Sequence, residues 1–451
     1  MNKPNIILYF SDQQRWDTLG CYGQKLSISP CLDELARNGV LYEQAYTPQP
    51  VCGPFRAMLQ TGLYPTQTGC FRNNVALPFH RKTLADRFHQ AGYDTAYVGK
   101  WHLASDGELE SKPAIDYQCS AIPPERRGGY RGFWRASDLL EFTSHGYDGY
   151  VFDEHMNRVD FTGYRVDCIT DFALEYLQTA PRKQPFFLTI SHIEPHHQND
   201  HNHYEGPKGS RERFSDFELP GDLAVLKGNA YEEYPNYLGA CRSLDDNLQR
   251  IVDTLKAQNL YENTIIVYVS DHGSHFRTRN QDEHLNGFDD YKRSCHDACL
   301  HVPLVIAGGG MKKRGRVKEL VSVISLPKTL LAMAGVDAGD DMAGENLLDL
   351  ADNVPPERKN QIFAQISESR VGRCLRTPDY KYAVYAPNLH GGQHMESELY
   401  HTDYLYDLNH DPHELNNLAT DAAYAAVRAE LAEELKKEMI QAGENSCVII
   451  P

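Results

Sequence analysis

The chain has 451 residues, 41% of them apolar, and a net charge of −17. That length suits a large α/β domain with a smaller companion rather than one small core. The acidic balance excludes nonspecific nucleic-acid binding, which needs a basic face, but leaves room for an anionic substrate held by a few arginines and lysines in a cleft.

Ile6–Phe10 is a continuous apolar run that ends at Ser11-Asp12, the pattern of a central parallel strand. No leader-type cleavage site follows it and no stretch reaches membrane-spanning length, so the expectation is a cytoplasmic chain with no membrane partner. In open α/β sheets, ligand sites lie at the carboxyl ends of strands. Asp12 and Gln13 fall there, and both present the oxygens a hard cation takes, although turn chemistry also puts Asp at strand ends. Pro30–Asn38 reads as a helix closed by Gly39. Val40–Tyr46 reads as a strand that delivers a Pro-rich loop to Cys52-Gly53-Pro54-Phe55-Arg56. Pro54 fits a first helical turn. Arg56, four residues after Cys52, can share a face with the thiol at an anion-favouring helix N-terminus. At this point a buried cysteine before an ordinary helix reads equally well.

Lys82–Gln90 is a further helix, and the strand Thr95–Val98 ends in Gly99-Lys100-Trp101-His102. Residues 104–162 break the α/β rhythm as a long insertion, rich in arginine and aromatic residues around 126–135. It serves either as an ordered surface that reads a polar substrate or as a structural lid. Val166–Gln178 is a helix, and the strand Pro185–Ile190 runs out into Ser191-His192-Ile193-Glu194-Pro195-His196-His197. Leu244, Leu248, Ile251, Val252 and Leu255 stripe one face of a helix over Leu238–Lys256. Thr264–Val269 is a strand ending in Ser270-Asp271-His272-Gly273, and Lys292 precedes a strand at His301–Ile306. Cys295, His296, Cys299 and His301 are close in sequence, but reduced, half-buried thiols are the simpler reading than a metal cluster. Beyond Val371, short antiparallel strands and a terminal helix over Ala422–Ile440 follow. The fold expected is α/β: a large, mostly parallel sheet sandwiched by helices over residues 1–370, with a smaller C-terminal α+β subdomain on an antiparallel sheet over 371–451.

One rim thus carries Asp12, Gln13, Cys52, Arg56, Lys100, His102, His196, Asp271, His272 and Lys292. These motifs, together with Thr61-Gly62, Val302-Pro303-Leu304, Leu405-Tyr406-Asp407-Leu408 and Asp411-Pro412, resemble those of the type I sulfatases of the alkaline-phosphatase-like superfamily over nearly the whole length. The resemblance implies that Cys52 is converted to formylglycine, whose hydrate is the nucleophile, by a formylglycine-generating or radical maturation enzyme. It implies a divalent cation, Ca²⁺ in the first place with Mn²⁺ or Mg²⁺ as alternatives, held by Asp12, Gln13, Asp271, His272 and residue 52. It makes Arg56, Lys100 and Lys292 the groups that hold the hydrate and the sulfate. It makes His196 the acid for the leaving oxygen and His102 the base, two roles that can be exchanged.

The chain departs from many relatives at Gln13 and His272, where a second aspartate and an asparagine are common, and at Phe55, often a serine. The Asp-Gln and Asp-His version also occurs in phosphonate monoester hydrolases, whereas Gly99-Lys100-Trp101-His102 favours a sulfatase. Polar groups in 104–162, in Ser274–Asn280 and at Asn73 and Asn74 suit a sulfated sugar. The expected substrate is therefore a sulfated carbohydrate. A broad arylsulfatase, a phosphonate or phosphate ester hydrolase, and a non-catalytic sulfated-glycan binder are the competing readings. The sequence leaves the oligomeric state open.

Overall fold

The computed structural model describes residues 3–107, 114–179, 183–280 and 291–450. Residues 108–113 of the expected insertion lie outside that set. Among the described residues, eleven strands make the main sheet: β1 (Asn5–Asp12), β2 (Val40–Tyr46), β3 (Asp94–Lys100), β4 (Trp134–Ser137), β5 (Asp148–Asp153), β6 (Arg158–Thr162), β7 (Phe186–Pro195), β8 (Thr264–Ser270), β9 (His301–Val302), β10 (Leu304–Ala307) and β11 (Gly315–Ser322). Their order is β11-β2-β10-β8-β1-β7-β3-β4-β5-β6, with β9 paired to β2. The sheet is mixed. β8, β1, β7 and β3 run parallel as its centre, while β10 is antiparallel to both neighbours and β5 and β6 form an antiparallel edge.

β1 shows why this centre forms. Ile6, Leu8 and Phe10 point into one core and Ile7 and Tyr9 into the other, all with at most 1% exposure. A strand apolar at every position must be covered on both faces, and each such side chain contributes about 2 kcal/mol by leaving water. Helices Cys52–Thr61, Leu84–Gln90 and Leu326–Met333 cover the first face, and Pro30–Asn38, Arg165–Gln178 and Ala230–Ala257 the second. The last helix starts eight residues before the expected Leu238. Its apolar stripe changes partners there, since Tyr234, Tyr237 and Leu238 feed a separate cluster with Tyr204, Phe276 and Tyr291.

The insertion extends the sheet instead of interrupting it, because β4 pairs in parallel with β3 and carries β5 and β6 outward. Its arginines are used internally. Arg127 is buried over the Trp134 ring and donates to the carbonyls of Ile122 and Glu154. Arg135 pairs with Glu154 and Glu175, and Arg131 with Asp86. These contacts tie a helix-poor edge to the body of the sheet.

A second sheet holds β12 (Ile362–Ile366), β13 (Gly372–Arg376), β14 (Tyr380–Tyr385), β15 (Leu399–Asp407) and β16 (Val448–Ile450) in that order, antiparallel except for the final pair. Helix Ala425–Gln441 covers one face, and the other packs on Tyr46, Leu300 and Leu320 of the main unit. Lys381, fully buried, bridges Asp297 and Glu414 across that junction. His296 bonds Tyr406 at 3.0 Å, and His301 bonds the Glu43 carbonyl at 2.9 Å and stacks between Trp16 and Tyr46. Both rings are thus committed to the fold, and all eleven cysteines are free thiols. Among the described residues, no helix is long and apolar enough to cross a membrane.

Glycine matters where strands approach. A Cβ on Gly99, whose φ is +104°, would sit 2.0 Å from the Ser191 carbonyl oxygen on β7. Gly39 ends its helix in extended backbone, not left-handed, and is required because a Cβ there would meet the Ile306 oxygen at 2.4 Å. Gly99→Ala is expected to destabilise the chain by about 3 kcal/mol or more, read from the urea midpoint. An unchanged midpoint would mean that β3 moves off β7 at no cost.

Candidate active site

The carboxyl ends of β8, β1, β7 and β3 lie side by side, so Asp271, Asp12, His196 and Lys100 arrive at one place from four chain segments. The helix Cys52–Thr61 starts beside them with Cys52 as its first residue and Val51 as the residue before it. Pro54 is therefore the third helical position, where the missing N–H still costs nothing. Phe55, fully buried, packs on Phe10 in the core. That is why an apolar ring is accepted at this position.

Asp12 is the hub. Its Oδ2 accepts from Lys100 Nζ at 3.0 Å and from Arg56 at 3.1 Å, and its Oδ1 lies 3.3 Å from Cys52 Sγ and 3.7 Å from His272 Nε2. Cys52 Sγ is also 3.4 Å from His272 Nε2 and 3.0 Å from Lys292 Nζ, and Lys292 Nζ reaches His196 Nε2 at 3.3 Å. Asp271 sits 3.6 Å from His272 and takes the Gln13 backbone N–H at 2.9 Å. All of these side chains are buried.

The structure thus brings Asp12, Cys52, Arg56, Lys100, His196, Asp271, His272 and Lys292 together, while Arg56 and the side chains of Gln13 and His102 differ from expectation. Arg56 does not stand free beside the thiol. It donates to Asp12, to the Lys100 carbonyl and to Ser191, which braces the ends of β1, β3 and β7 against one another. The Gln13 side chain donates to Tyr204 at 3.1 Å, with its oxygen 3.4 Å from His197 Nδ1. His102, at φ +59°, is buried with Nδ1 unpartnered.

Electrostatics follow from burial and proximity. Burial alone would raise the Asp12 carboxyl, but Lys100, His196, Lys292 and Arg56 overrule it and hold it well below the usual range. Asp271 has less compensation, and burial beside Asp12 pushes it up to about 7. Burial, then Lys292, lowers His196, and burial, then Lys100, lowers His102, so both rings are neutral near pH 7. Burial also lowers His272, which keeps its ring nitrogen available as a ligand.

Asp12, Cys52, Asp271 and His272 put ligand atoms within 4.8 Å of one another. Asp271 Oδ2 is buried with no partner, as a carboxylate oxygen is when it awaits a cation. Oxygen, imidazole and residue 52 fit a divalent ion.

Three supporting residues escaped the sequence. Glu141 pairs with Lys100 at 2.9 Å, and it lies inside the insertion with no motif around it. Asp138 accepts from the N–H groups of Leu103, Ala104 and Ser105, which fixes the loop after His102. Its position just past β4 was the available signal. Ser191 braces Arg56. The polar run Ser274–Asn280, expected at the substrate rim, instead folds under Lys292. His275 bonds the Lys292 carbonyl at 3.0 Å, Asn280 donates to it at 2.9 Å, and Phe276 is buried.

Residues 4–336 match the family model described as Sulfatase, and residues 283–441 the C-terminal model described as N-sulphoglucosamine sulphohydrolase. An ulvan-active sulfatase of Formosa agariphila is 29% identical, over 98% of this chain and 82% of its own length. An N-acetylglucosamine-6-O-sulfatase of Bacteroides thetaiotaomicron is 24% identical, over 98% and 87%. A solved Bacteroides fragilis structure named yidJ superposes with a TM-score of 0.81 at 24% identity, covering 98% of this chain and 96% of that one.

A divalent cation is expected to raise the unfolding free energy by about 2.7 kcal/mol at a hundredfold excess over its Kd, read as a higher melting midpoint. Without the cation Asp271 keeps its proton up to about pH 7, and binding must displace it. The rise should therefore be larger at pH 8 than at pH 6. Asp271→Asn should remove it, and calorimetric melting with and without Ca²⁺ or Mn²⁺ checks both statements.

Proposed function

The chain belongs to the sulfatase family and is a sulfuric ester hydrolase, and from that premise we propose that it cleaves sulfate monoesters of carbohydrates with residue 52 as the matured nucleophile. The observation that carries this is the position of Cys52 Sγ, within 3.0–3.4 Å of Lys292, Asp12 and His272 at once. That atom touches both the cation-type cluster and the amine expected to hold sulfate. The carbohydrate preference is supported by relatives named for ulvan and for N-acetylglucosamine 6-sulfate.

A thiol attacking sulfur would form a dead-end product. In the formylglycine hydrate, which requires a maturation enzyme, one hydroxyl gives up its proton to water, and its oxygen forms the new bond to sulfur while the bond from sulfur to the sugar oxygen breaks. His196 gives that leaving oxygen a proton. The remaining hydroxyl then loses its proton to His102, its carbon–oxygen bond becomes the aldehyde, sulfate departs, and water restores the hydrate. A bound divalent cation would supply acidification of the nucleophile and polarisation of the sulfate oxygens. Lys100 and Lys292 neutralise charge that grows on the sulfuryl group. Arg56 fixes Asp12, and Glu141 fixes Lys100. Because His196 is neutral in the free protein, its acid role depends on the negative charge of the bound ester, which favours imidazolium. His102 starts neutral, as a base must.

Cys52→Ala should abolish turnover of sulfate esters while leaving the fold intact, checked by circular dichroism. In matured protein the peptide holding residue 52 should be about 18 Da lighter than the encoded cysteine peptide. His196→Ala should slow sugar 6-sulfates far more than 4-nitrophenyl sulfate, whose leaving oxygen needs no proton. Equal losses on the two would remove the acid assignment. A screen of sulfated monosaccharides beside aryl sulfate and aryl phosphonate decides the substrate, and faster phosphonate turnover would defeat the sulfatase reading.

A further inference from the structure

The turn between β12 and β13 belongs to the C-terminal sheet, yet it touches both flanks of the nucleophile. Glu368, in this turn, accepts from the Asn73 backbone N–H at 2.6 Å through Oε1. Its Oε2 takes the guanidinium of Arg293 through both Nε and an NH2 group. Each partner leads directly to residue 52. The Asn73 side-chain oxygen accepts the Gly53 N–H at 2.9 Å, one of the unpaired donors of the first turn of the nucleophile helix. Arg293 follows Lys292, whose ammonium lies 3.0 Å from Cys52 Sγ.

We propose that Glu368 is a positioning residue: a clamp from the C-terminal sheet that sets the nucleophile helix and Lys292 at their working distance. The proposal rests on the sulfatase reading of residue 52 and Lys292.

Three further observations separate this pair from an ordinary surface ion pair, which contributes little. Both side chains are largely buried, 13% exposed for Arg293 and 17% for Glu368. Both residues have left-handed backbone, with φ of +63° and +65°. Neither is glycine, so the surroundings must hold them there. The turn is also stitched to the same two segments by other bonds. Ser369 donates to the Arg293 carbonyl at 2.8 Å, Ser367 takes the Gln49 amide at 2.5 Å just before the nucleophile, and the Gln365 N–H donates to the Pro48 carbonyl at 2.8 Å. A carboxylate is suited to the centre of this arrangement because its two oxygens accept in different directions. One serves a neutral backbone donor and the other a cation.

Glu368→Ala should lower kcat on 4-nitrophenyl sulfate about tenfold to a hundredfold with KM changed no more than about twofold, because a displaced nucleophile slows the chemical step more than it weakens binding. Glu368→Gln keeps an acceptor for Asn73 and should recover part of the loss while melting as the wild type does. Arg293→Ala combined with Glu368→Ala should cost no more than the worse single change. Hydrogen exchange of the Gly53 amide, read by NMR or from overlapping peptides that begin well before residue 52, should speed up in Glu368→Ala while the rest of the helix is unaffected. An unchanged kcat in Glu368→Ala, or additive losses in the double variant, overturns the proposal. Wild-type protein that turns over no sulfate ester would instead remove the sulfatase reading, and exchange at Gly53 then decides the clamp by itself: unchanged exchange overturns it, faster exchange supports it.

Discussion

Asp12 is a carboxylate with no exposed surface, and the arrangement of the catalytic face follows from what its burial demands. An ionised group out of water is tolerated only with close, well-directed partners. Lys100 and Arg56 meet one oxygen, and the thiol and imidazole of Cys52 and His272 face the other. Those partners come from β3, from the helix Cys52–Thr61 and from the end of β8. The charge at Asp12 therefore also ties the ends of β1, β3 and β8 to the start of that helix.

Neutralisation is uneven across the site, and the unevenness has chemical meaning. Asp12 is kept ionised by several cations, whereas Asp271 is left close to neutrality with one oxygen unpartnered. Burial first, and then the same cations, keep His196 and His102 in their neutral forms. On the proposed function, this balance suits a divalent ion on one side and a tetrahedral anion on the other. Each supplies charge that the protein groups lack in the free state.

Support for the first residues comes from elements remote in sequence. The insertion contributes Glu141 behind Lys100 and Asp138 behind the His102 loop, while its arginines tie its strands to one another and to the body of the sheet. Within Ser274–Asn280, His275 and Asn280 hold the Lys292 carbonyl. The second sheet is joined to the main one through buried Lys381 and reaches residue 53 through Asn73 and Glu368. Some of the polar residues expected at a substrate rim are thus bonded to neighbouring backbone and side chains of the site. Buried polar groups are satisfied by whatever lies next to them, and composition does not say what that is.

The sequence by itself determined the strands with apolar residues at every position, the helices with a 3.6-residue stripe, and the short ligand-rich motifs at the strand ends. These are local patterns, and a strand end in a parallel sheet is a predictable place for a site. Even the meeting of Asp12, Cys52, Lys100 and Asp271 was legible, because each motif ends a strand of the same sheet or follows one closely. Tertiary structure alone decided the antiparallel insertion of β10 and the extra turns ahead of Leu238. It also decided the use of Arg56 as a brace and the roles of Glu141, Asp138 and Glu368. Those depend on contacts between residues tens to hundreds of positions apart, whose partners are set by how the layers pack and leave no periodicity or spacing in the chain to read.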